Sequence, residues 1–159
     1  MKIGVISDTH LDAPTPLLEM VVDKYFKDID MVLHAGDLHS LEVLDAFVSK
    51  EIHLVAGNTD RPEVKKQFPA SKLIEVKGFR IGLTHGWGTP LGLEKRAASL
   101  FEGIDCLVFG HSHWPVNHCR DGVLFFNPGT FKGGISSLWR KTIGILTIEQ
   151  DIWGEILRL

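Results

Sequence analysis

The chain has 159 residues, of which 44% are apolar and 23% are charged, and its formal net charge is −3. This composition excludes a disordered chain, and the negative charge gives no support for binding nucleic acid through bulk electrostatics, so we expect no strong nucleic-acid patch. The length fits one globular domain, which we expect to span residues 1–159.

The first half of the chain alternates between apolar strands and amphipathic helices. Pro16 is expected at the first position of a helix that continues through residues 17–26. Ser40 is expected to N-cap a second amphipathic helix at residues 41–50. Around these helices we predict buried strands at residues 2–7, 31–36 and 52–57.

The second half adds hairpins to this pattern. Lys77–Gly78 is predicted to join strands at residues 72–76 and 80–84 in a hairpin. A third helix at 92–103 and another buried strand at 105–110 follow. Finally, apolar and polar residues alternate around Asp-Gly and Gln-Asp turns, which predicts antiparallel strands within segments 114–129 and 142–159. The predicted fold class is α/β, with a parallel core from the βαβαβ half and antiparallel strands near the C-terminus.

Several features bear on location and assembly. The apolar run Ile3–Ile6 is too short for a signal peptide, and no stretch approaches the roughly 18 apolar residues of a membrane helix. Cys106 and Cys119 have neither metal-type nor disulfide-framework spacing, which favours free thiols. We therefore expect a cytoplasmic protein with no membrane partner. A homo-oligomer stays open, because an edge of the C-terminal strands could pair.

Each of five predicted strands ends in side chains that can bind a metal ion. Because the carboxyl ends of parallel strands form the ligand crevice of open α/β sheets, we expect these side chains to converge. Residues two apart in extended chain point the same way, so an Asp-x-His or His-x-His pair can face one ion. The candidate metal ligands are Asp8, His10, Asp37, Asn58, His85, His111 and His113.

Seven ligands are too many for one ion and suit two ions that share a carboxylate, for which Asp37 is the natural bridge. Two-metal sites hold their ions about 3.5–4 Å apart and contact both the attacking and the leaving oxygen of a phosphoryl transfer. Asn58 would ligate a cation without adding negative charge. The site would then stay cationic and attract a phosphodiester anion.

Five segments together carry a family resemblance: DTH (8–10), GD (36–37), GNTD (57–60), HG (85–86) and GHSH (110–113). In this order and at these separations they resemble the calcineurin-like metallophosphoesterase superfamily, and NPGT (127–130) resembles its loop near the metals. The short length resembles the small single-domain prokaryotic phosphodiesterases. The resemblance implies a two-sheet α-β-β-α sandwich. It also implies a metal-dependent phosphodiesterase in which a hydroxide at a dinuclear metal centre attacks phosphorus.

The same resemblance assigns the ligands to two cations. One would be held by Asp8, His10, Asp37 and His113, and the other by Asp37, Asn58, His85 and His111. It implies two divalent ions per chain, with manganese expected first and iron, zinc or nickel as alternatives. The substrate would be a small phosphodiester or a nucleotide, bound through Asn58, Thr59 and Gly86.

Thr59 departs from the family pattern. Most members have a histidine there that contacts the phosphate and is the usual candidate to protonate the leaving group, although the small phosphodiesterases also lack it. We hypothesise that this chain favours good leaving groups, or takes the proton from water or from His39. The candidate catalytic residues are His39, Asn58, Thr59 and Asp60, although for Asp60 ordering of the 57–61 loop is favoured over a role as a base.

Other interpretations stay open at this point. His34 lies inside a predicted strand, which favours a buried structural histidine over a ligand. The retromer subunit Vps29 resembles the same fold and works as an interaction protein, so a non-catalytic scaffold is the main alternative function. A phosphomonoesterase is the third, although its dianionic substrate would want more cationic side chains than these loops contain.

Overall fold

The computed structural model describes residues 1–29, 31–134 and 140–159. Within these ranges, the strands form two five-stranded sheets. The first sheet contains, in spatial order, β10 (Ile152–Arg158), β9 (Thr142–Ile148), β1 (Lys2–Ile6), β2 (Met31–His34) and β3 (Glu51–Leu54). The second sheet contains β4 (Ser71–Val76), β5 (Phe79–Thr84), β6 (Cys106–Val108), β8 (Val123–Asn127) and β7 (Val116–Arg120).

The strand pairing confirms a parallel core with antiparallel strands added. Strands β1, β2 and β3 are parallel, and β9 pairs antiparallel with β1 on the other side. The predicted hairpin β4–β5 is present. The tail differs in one respect, because β8 pairs antiparallel with β7 but parallel with β6. The hairpin of β7 and β8 thus docks through its second strand, so the second sheet also has a parallel centre.

The two sheets pack face to face around one apolar layer. Val5 and Leu33 from the first sheet meet Leu83, Val108 and Phe126 from the second, and all five side chains are buried. Further buried clusters cover the outer face of each sheet, with helices packed on both sides. The arrangement confirms the α-β-β-α sandwich. Strand β3 is at the edge of its sheet and only partly buried, so the expectation of a buried strand at residues 52–57 is wrong.

The helices are shorter and less regular than predicted. Helix α1 (Pro16–Met20) begins at Pro16 as predicted, and the Thr15 hydroxyl accepts a hydrogen bond from the Leu18 backbone N–H (3.3 Å). It continues as a π-helix at Val21–Tyr25. Helix α3 (Leu93–Ala98) lies within the predicted range. No helix in the described ranges has both the length and the apolar character needed to cross a membrane.

Two helical segments correct the sequence analysis. The predicted amphipathic α-helix after Ser40 is a 3-10 helix at Leu41–Phe47. Ser40 makes no capping bond to a backbone N–H, because its hydroxyl donates to the Glu42 side chain instead. Helix α2 (Pro62–Gln67) was not predicted, since Val64 is its one buried residue and no apolar period marks it.

Candidate metal centre

The seven candidate ligands lie in loops at the carboxyl ends of β1, β2, β3, β5 and β6. Backbone hydrogen bonds connect these loops directly. The N–H of Asp8 donates to Gly36 O (3.0 Å), and the N–H of His10 donates to Asp37 O (3.0 Å). In the second sheet, the N–H of Gly110 donates to His85 O (3.2 Å). The His111 N–H links the two sheets by donating to Asp8 Oδ2 (3.3 Å), so the strand ends form one connected rim.

One group of ligand atoms gathers around Asp8. His113 Nε2 lies 3.0 Å from Asp8 Oδ1, and His10 Nε2 lies 3.8 Å from the same oxygen. His10 Nε2 also lies 3.8 Å from Asp37 Oδ2. The other Asp8 oxygen, Oδ2, accepts hydrogen bonds from the Ser7 hydroxyl (2.5 Å) and the His111 N–H (3.3 Å). These bonds fix the carboxylate so that Oδ1 faces the two imidazoles.

A second group gathers around Asn58. His111 Nδ1 lies 2.9 Å from Asn58 Oδ1, and His85 Nε2 lies 3.2 Å from the same oxygen. His85 Nε2 is also 3.3 Å from Asp37 Oδ2. The opposite ring nitrogens face backbone carbonyls, which only accept: His85 Nδ1 donates to Ala35 O and His111 Nε2 donates to Gly88 O, both at 2.7 Å. In the neutral rings, the nitrogens facing Asn58 are thus the unprotonated ones.

Asp37 belongs to both groups. Its Oδ1 accepts a hydrogen bond from the Thr59 N–H (2.8 Å), whereas its Oδ2 lies between His10 and His85. Burial alone would raise the pKa of Asp37, but hydrogen bonds from His85 and Thr59 outweigh burial and hold this pKa well below its usual range. Asp37 is therefore an ionised carboxylate at the junction of the two groups.

The pKa values of His10 and His85 shift in opposite directions. Burial lowers the pKa of His10, in spite of the nearby Asp37 and Asp8 carboxylates. For His85, burial also favours the neutral ring, but the hydrogen bond to Asp37 prevails and raises its pKa. A cation ligated by His85 would therefore have to displace a proton, which makes its affinity depend on pH.

The donor set fits divalent cations. Asp8 Oδ1 is buried and accepts no hydrogen bond from the described residues, although an imidazole nitrogen lies close to it. Around Asn58, the amide oxygen lies 2.9 Å from His111 Nδ1 and 3.2 Å from His85 Nε2, so three possible donors converge where a cation could bind. Mixed carboxylate, amide and imidazole donors suit several first-row divalent metals.

The backbone at these ligands is strained. Five of the seven candidate ligands have positive φ angles, between +47° and +67°, namely Asp8, His10, Asp37, His111 and His113. Non-glycine residues rarely adopt this left-handed region, and each one costs of order 1–3 kcal/mol. Such strain clusters at functional sites, where the surrounding structure holds it in place. Here the hydrogen bonds between the strand-end loops supply that support.

Two glycines allow the loops to approach one another. A Cβ at Gly57 would collide with Asp37 Oδ1 and the Asp37 backbone nitrogen. A Cβ at Gly110 would collide with the Ser7 hydroxyl and lie 2.8 Å from Ala35 O. The glycines at these positions are therefore required by the packing of the ligand loops.

The other candidate catalytic and substrate-binding residues have distinct contacts. The Thr59 hydroxyl lies 3.2 Å from His10 Nδ1, so it contacts a ligand ring rather than an open position. Asp60 accepts from the backbone N–H groups of His39 (2.5 Å) and Gly57 (2.7 Å), as expected for a residue that orders this loop. His39 is partly exposed, with Nδ1 3.3 Å from Asp12 Oδ1. Gly86 has φ +88° and follows His85 directly.

Three residues beside the candidate ligands support them, of which Ser7 and Thr9 were not expected from the sequence. His34 is fully buried, accepts a hydrogen bond from the Gly36 N–H (3.2 Å) and lies 3.1 Å from the Thr9 hydroxyl. Thr9 separates the ligands Asp8 and His10, and Ser7 fixes the Asp8 carboxylate. Thr9 and Ser7 carried no signal beyond their position beside Asp8. The structural role expected for His34 agrees with these contacts.

Known proteins provide an independent comparison. The model of the calcineurin-like phosphoesterase superfamily domain matches residues 1–151. A Methanothermobacter thermautotrophicus protein named "Probable metallophosphoesterase" is 39% identical over 163 residues, which cover 99% of this chain and 92% of that protein. A Methanocaldococcus jannaschii protein named a phosphodiesterase is 30% identical over 172 residues, with 99% of both chains covered.

A solved structure is similar across the whole chain. The Vps29 of Entamoeba histolytica, crystallised with Zn²⁺, has a TM-score of 0.74 and 25% identity, with 99% of both chains covered. The family model, the curated relatives and the two-sheet fold agree with one another. They support a phosphoesterase activity and the divalent metals that this family uses. The chain belongs to the calcineurin-like phosphoesterase superfamily.

Proposed function

We propose that this protein is a metal-dependent phosphodiesterase with two divalent cations at the strand-end rim. The observation that carries this proposal is the position of Asp37 Oδ2, which lies 3.8 Å from His10 Nε2 and 3.3 Å from His85 Nε2. One carboxylate oxygen thus faces ligand atoms of both groups. A shared carboxylate of this kind is what a pair of neighbouring cations requires.

Each group would hold one cation. Asp8, His10, His113 and Asp37 would hold the first, and Asn58, His85, His111 and Asp37 the second. When bound, two such ions lower the pKa of water and neutralise the negative charge that develops on the phosphoryl oxygens. Mn²⁺ is the first metal to test, and Fe²⁺, Zn²⁺ and Ni²⁺ follow, because this mixed donor set accepts all of them.

The charges around the rim support a diester substrate. Arg61 lies at the loop that carries Thr59, but its guanidinium is paired with Asp12, 2.5 Å from Asp12 Oδ1. The Lys65 ammonium donates to the Asn58 backbone carbonyl (2.7 Å). These two cations are therefore already engaged. A monoanionic phosphodiester needs less added positive charge than a dianionic monoester, and the named archaeal relative is a phosphodiesterase.

Protonation of the leaving group would fall to water or His39. Thr59 has no imidazole that could act as a general acid, and its hydroxyl contacts His10. His39 has a partly exposed ring whose Nδ1 contacts the Asp12 carboxylate. With Nδ1 bound in this way, Nε2 is the atom that could serve the leaving group. We propose that Asn58, Thr59 and Gly86 lie where the phosphate of the substrate would bind at the strand-end rim.

The decisive experiment compares the wild type with Asp37→Ala, using bis-p-nitrophenyl phosphate and Mn²⁺. We expect two bound metal ions in the wild type by elemental analysis, and a loss of turnover by roughly 10²-fold or more in the variant, because both cations lose a ligand. Asp45→Ala, which removes an exposed carboxylate, should behave as the wild type. A monoester, p-nitrophenyl phosphate, should have the lower kcat/KM.

Two outcomes would contradict the proposal. Equal and negligible turnover in the wild type and Asp37→Ala, without bound metal, would favour an interaction scaffold. Faster hydrolysis of the monoester than of the diester would keep the metal centre but replace the phosphodiesterase with a phosphomonoesterase.

A further inference from the structure

The loop that joins β5 to α3 contacts the candidate metal centre from outside. It covers residues 86–92, has no regular secondary structure and contains three glycines with positive φ. Trp87 and Leu91 expose 45% and 88% of their surface, so burial of these two side chains contributes little to holding the loop in place. Its conformation must be fixed in another way.

Arg96, on helix α3, provides that support through its guanidinium group. Its Nε and Nη2 donate to Trp87 O at 3.1 and 3.0 Å, and Nη1 donates to Leu91 O at 2.9 Å. Nη2 also donates to Thr89 O. One planar side chain thus binds three carbonyls of the loop at once. The fixed fork of donors in arginine allows this, whereas lysine offers a single ammonium.

The loop in turn holds His111. The carbonyl of Gly88 lies between two of the residues that Arg96 binds, Trp87 and Thr89, and it accepts a hydrogen bond from His111 Nε2 (2.7 Å). This bond places the proton on Nε2 and leaves the lone pair of Nδ1 directed at Asn58 Oδ1, 2.9 Å away. A partner on the outer nitrogen commonly fixes the tautomer and orientation of a metal-binding histidine.

We propose that Arg96 is a positioning residue for the candidate metal centre. By binding the 86–92 loop, it holds the Gly88 carbonyl where it fixes the tautomer and orientation of His111. The part of this inference that concerns cation binding rests on the proposed function. The part that concerns the histidine tautomer does not. Arg96 itself touches neither ligand group through any of these bonds.

Arg96→Met tests this inference because it keeps much of the side-chain length and removes every donor. Arg80→Met is the matched control, since Arg80 also donates to the carbonyl of a different loop, Gly103 O (2.8 Å), and pairs with Glu75 on β4. Mn²⁺ binding is measured by calorimetry. In Arg96→Met, we expect the protein's affinity for the cation that His111 would ligate to fall roughly 10- to 100-fold, while its affinity for the other cation is unchanged. Arg80→Met should retain both affinities.

The tautomer of His111 gives a second readout without metal or substrate. Long-range ¹H–¹⁵N spectra of the metal-free protein should show an Nε2–H ring in the wild type and in Arg80→Met, and a mixture of tautomers in Arg96→Met. Millimolar guanidinium should restore cation affinity to Arg96→Met but not to His111→Ala. If Arg96→Met does not fold, Arg96→Lys replaces it, with the same direction expected.

The outcomes separate the two proposals. If Arg96→Met keeps both the cation affinities and the single tautomer of the wild type, the positioning role is wrong. If the wild type binds no Mn²⁺, the proposed function fails, whereas the tautomer spectra still decide whether Arg96 fixes His111.

Discussion

The contact between Thr59 and His10 leads to a prediction about metal affinity. Thr59→Val replaces the hydroxyl by a methyl group of similar volume and leaves the Thr59 backbone N–H in place. The bond to Asp37 Oδ1 is therefore kept, while the 3.2 Å contact with His10 Nδ1 is lost. His10 would then be less well oriented toward Asp8 and Asp37. We expect weaker binding of the cation that Asp8, His10 and His113 would hold.

The magnitude follows from the energy of one hydrogen bond. A neutral intramolecular hydrogen bond contributes about 0.5–1.5 kcal/mol net, and 1.4 kcal/mol is about tenfold in a dissociation constant. Because Thr59 is exposed, the lower part of this range applies. The dissociation constant should therefore rise about 2- to 5-fold. Thr59→Ser, which keeps a hydroxyl, should stay close to the wild type.

Calorimetric titration with Mn²⁺, supported by the Mn²⁺ dependence of diester hydrolysis, measures this effect. The reasoning would be refuted if Thr59→Val bound both cations as tightly as the wild type. It would also be refuted if the affinity lost were that of the cation near Asn58 and His111, because Thr59 would then act through the other group.

Two further predictions concern buried residues around the rim. Burial lowers the pKa of His34 to about 3, whereas an unfolded histidine titrates near 6.5, so the unfolded chain binds the extra proton and stability falls as the pH drops below 6.5. This effect amounts to about 2 kcal/mol between pH 7 and pH 5, and urea unfolding of metal-free His34→Gln should show a correspondingly smaller loss. Gly57→Ala would force Asp37 aside, so we expect a Tm lower by about 2–10 °C in thermal unfolding and Mn²⁺ affinity reduced for both cations in calorimetry.

The positions of the candidate ligands could be predicted because each follows directly from a local pattern. Asp8, Asp37 and His85 come just after apolar runs, and the ends of parallel strands meet at one edge whatever the details of packing. The same local reasoning found Pro16 at the start of α1 and the β4–β5 hairpin. Periodicity and turn residues were sufficient for these features.

Contacts between distant segments could not be predicted in this way. Thr59 meets His10 across 49 positions of sequence, and the Gly88 carbonyl meets His111 across 23. Each pair joins loops that follow two strands of the same sheet, and a single sequence does not give the conformations of those loops. Ser40 failed as a cap because a side chain two residues away, Glu42, competed for its hydroxyl.

The seven candidate ligands are divided between the two layers of the sandwich. Four follow β1, β2 and β3, and three follow β5 and β6. Metal–ligand bonds are only about 2.0–2.2 Å long, whereas a slip of one residue along a strand moves a side chain by about 3.3 Å. If the two sheets packed with a shift of one residue, the candidate ligands would lie too far apart to bind the proposed ions together. Ion uptake would therefore distinguish correctly assembled molecules from near-native ones, and would stabilise only the former.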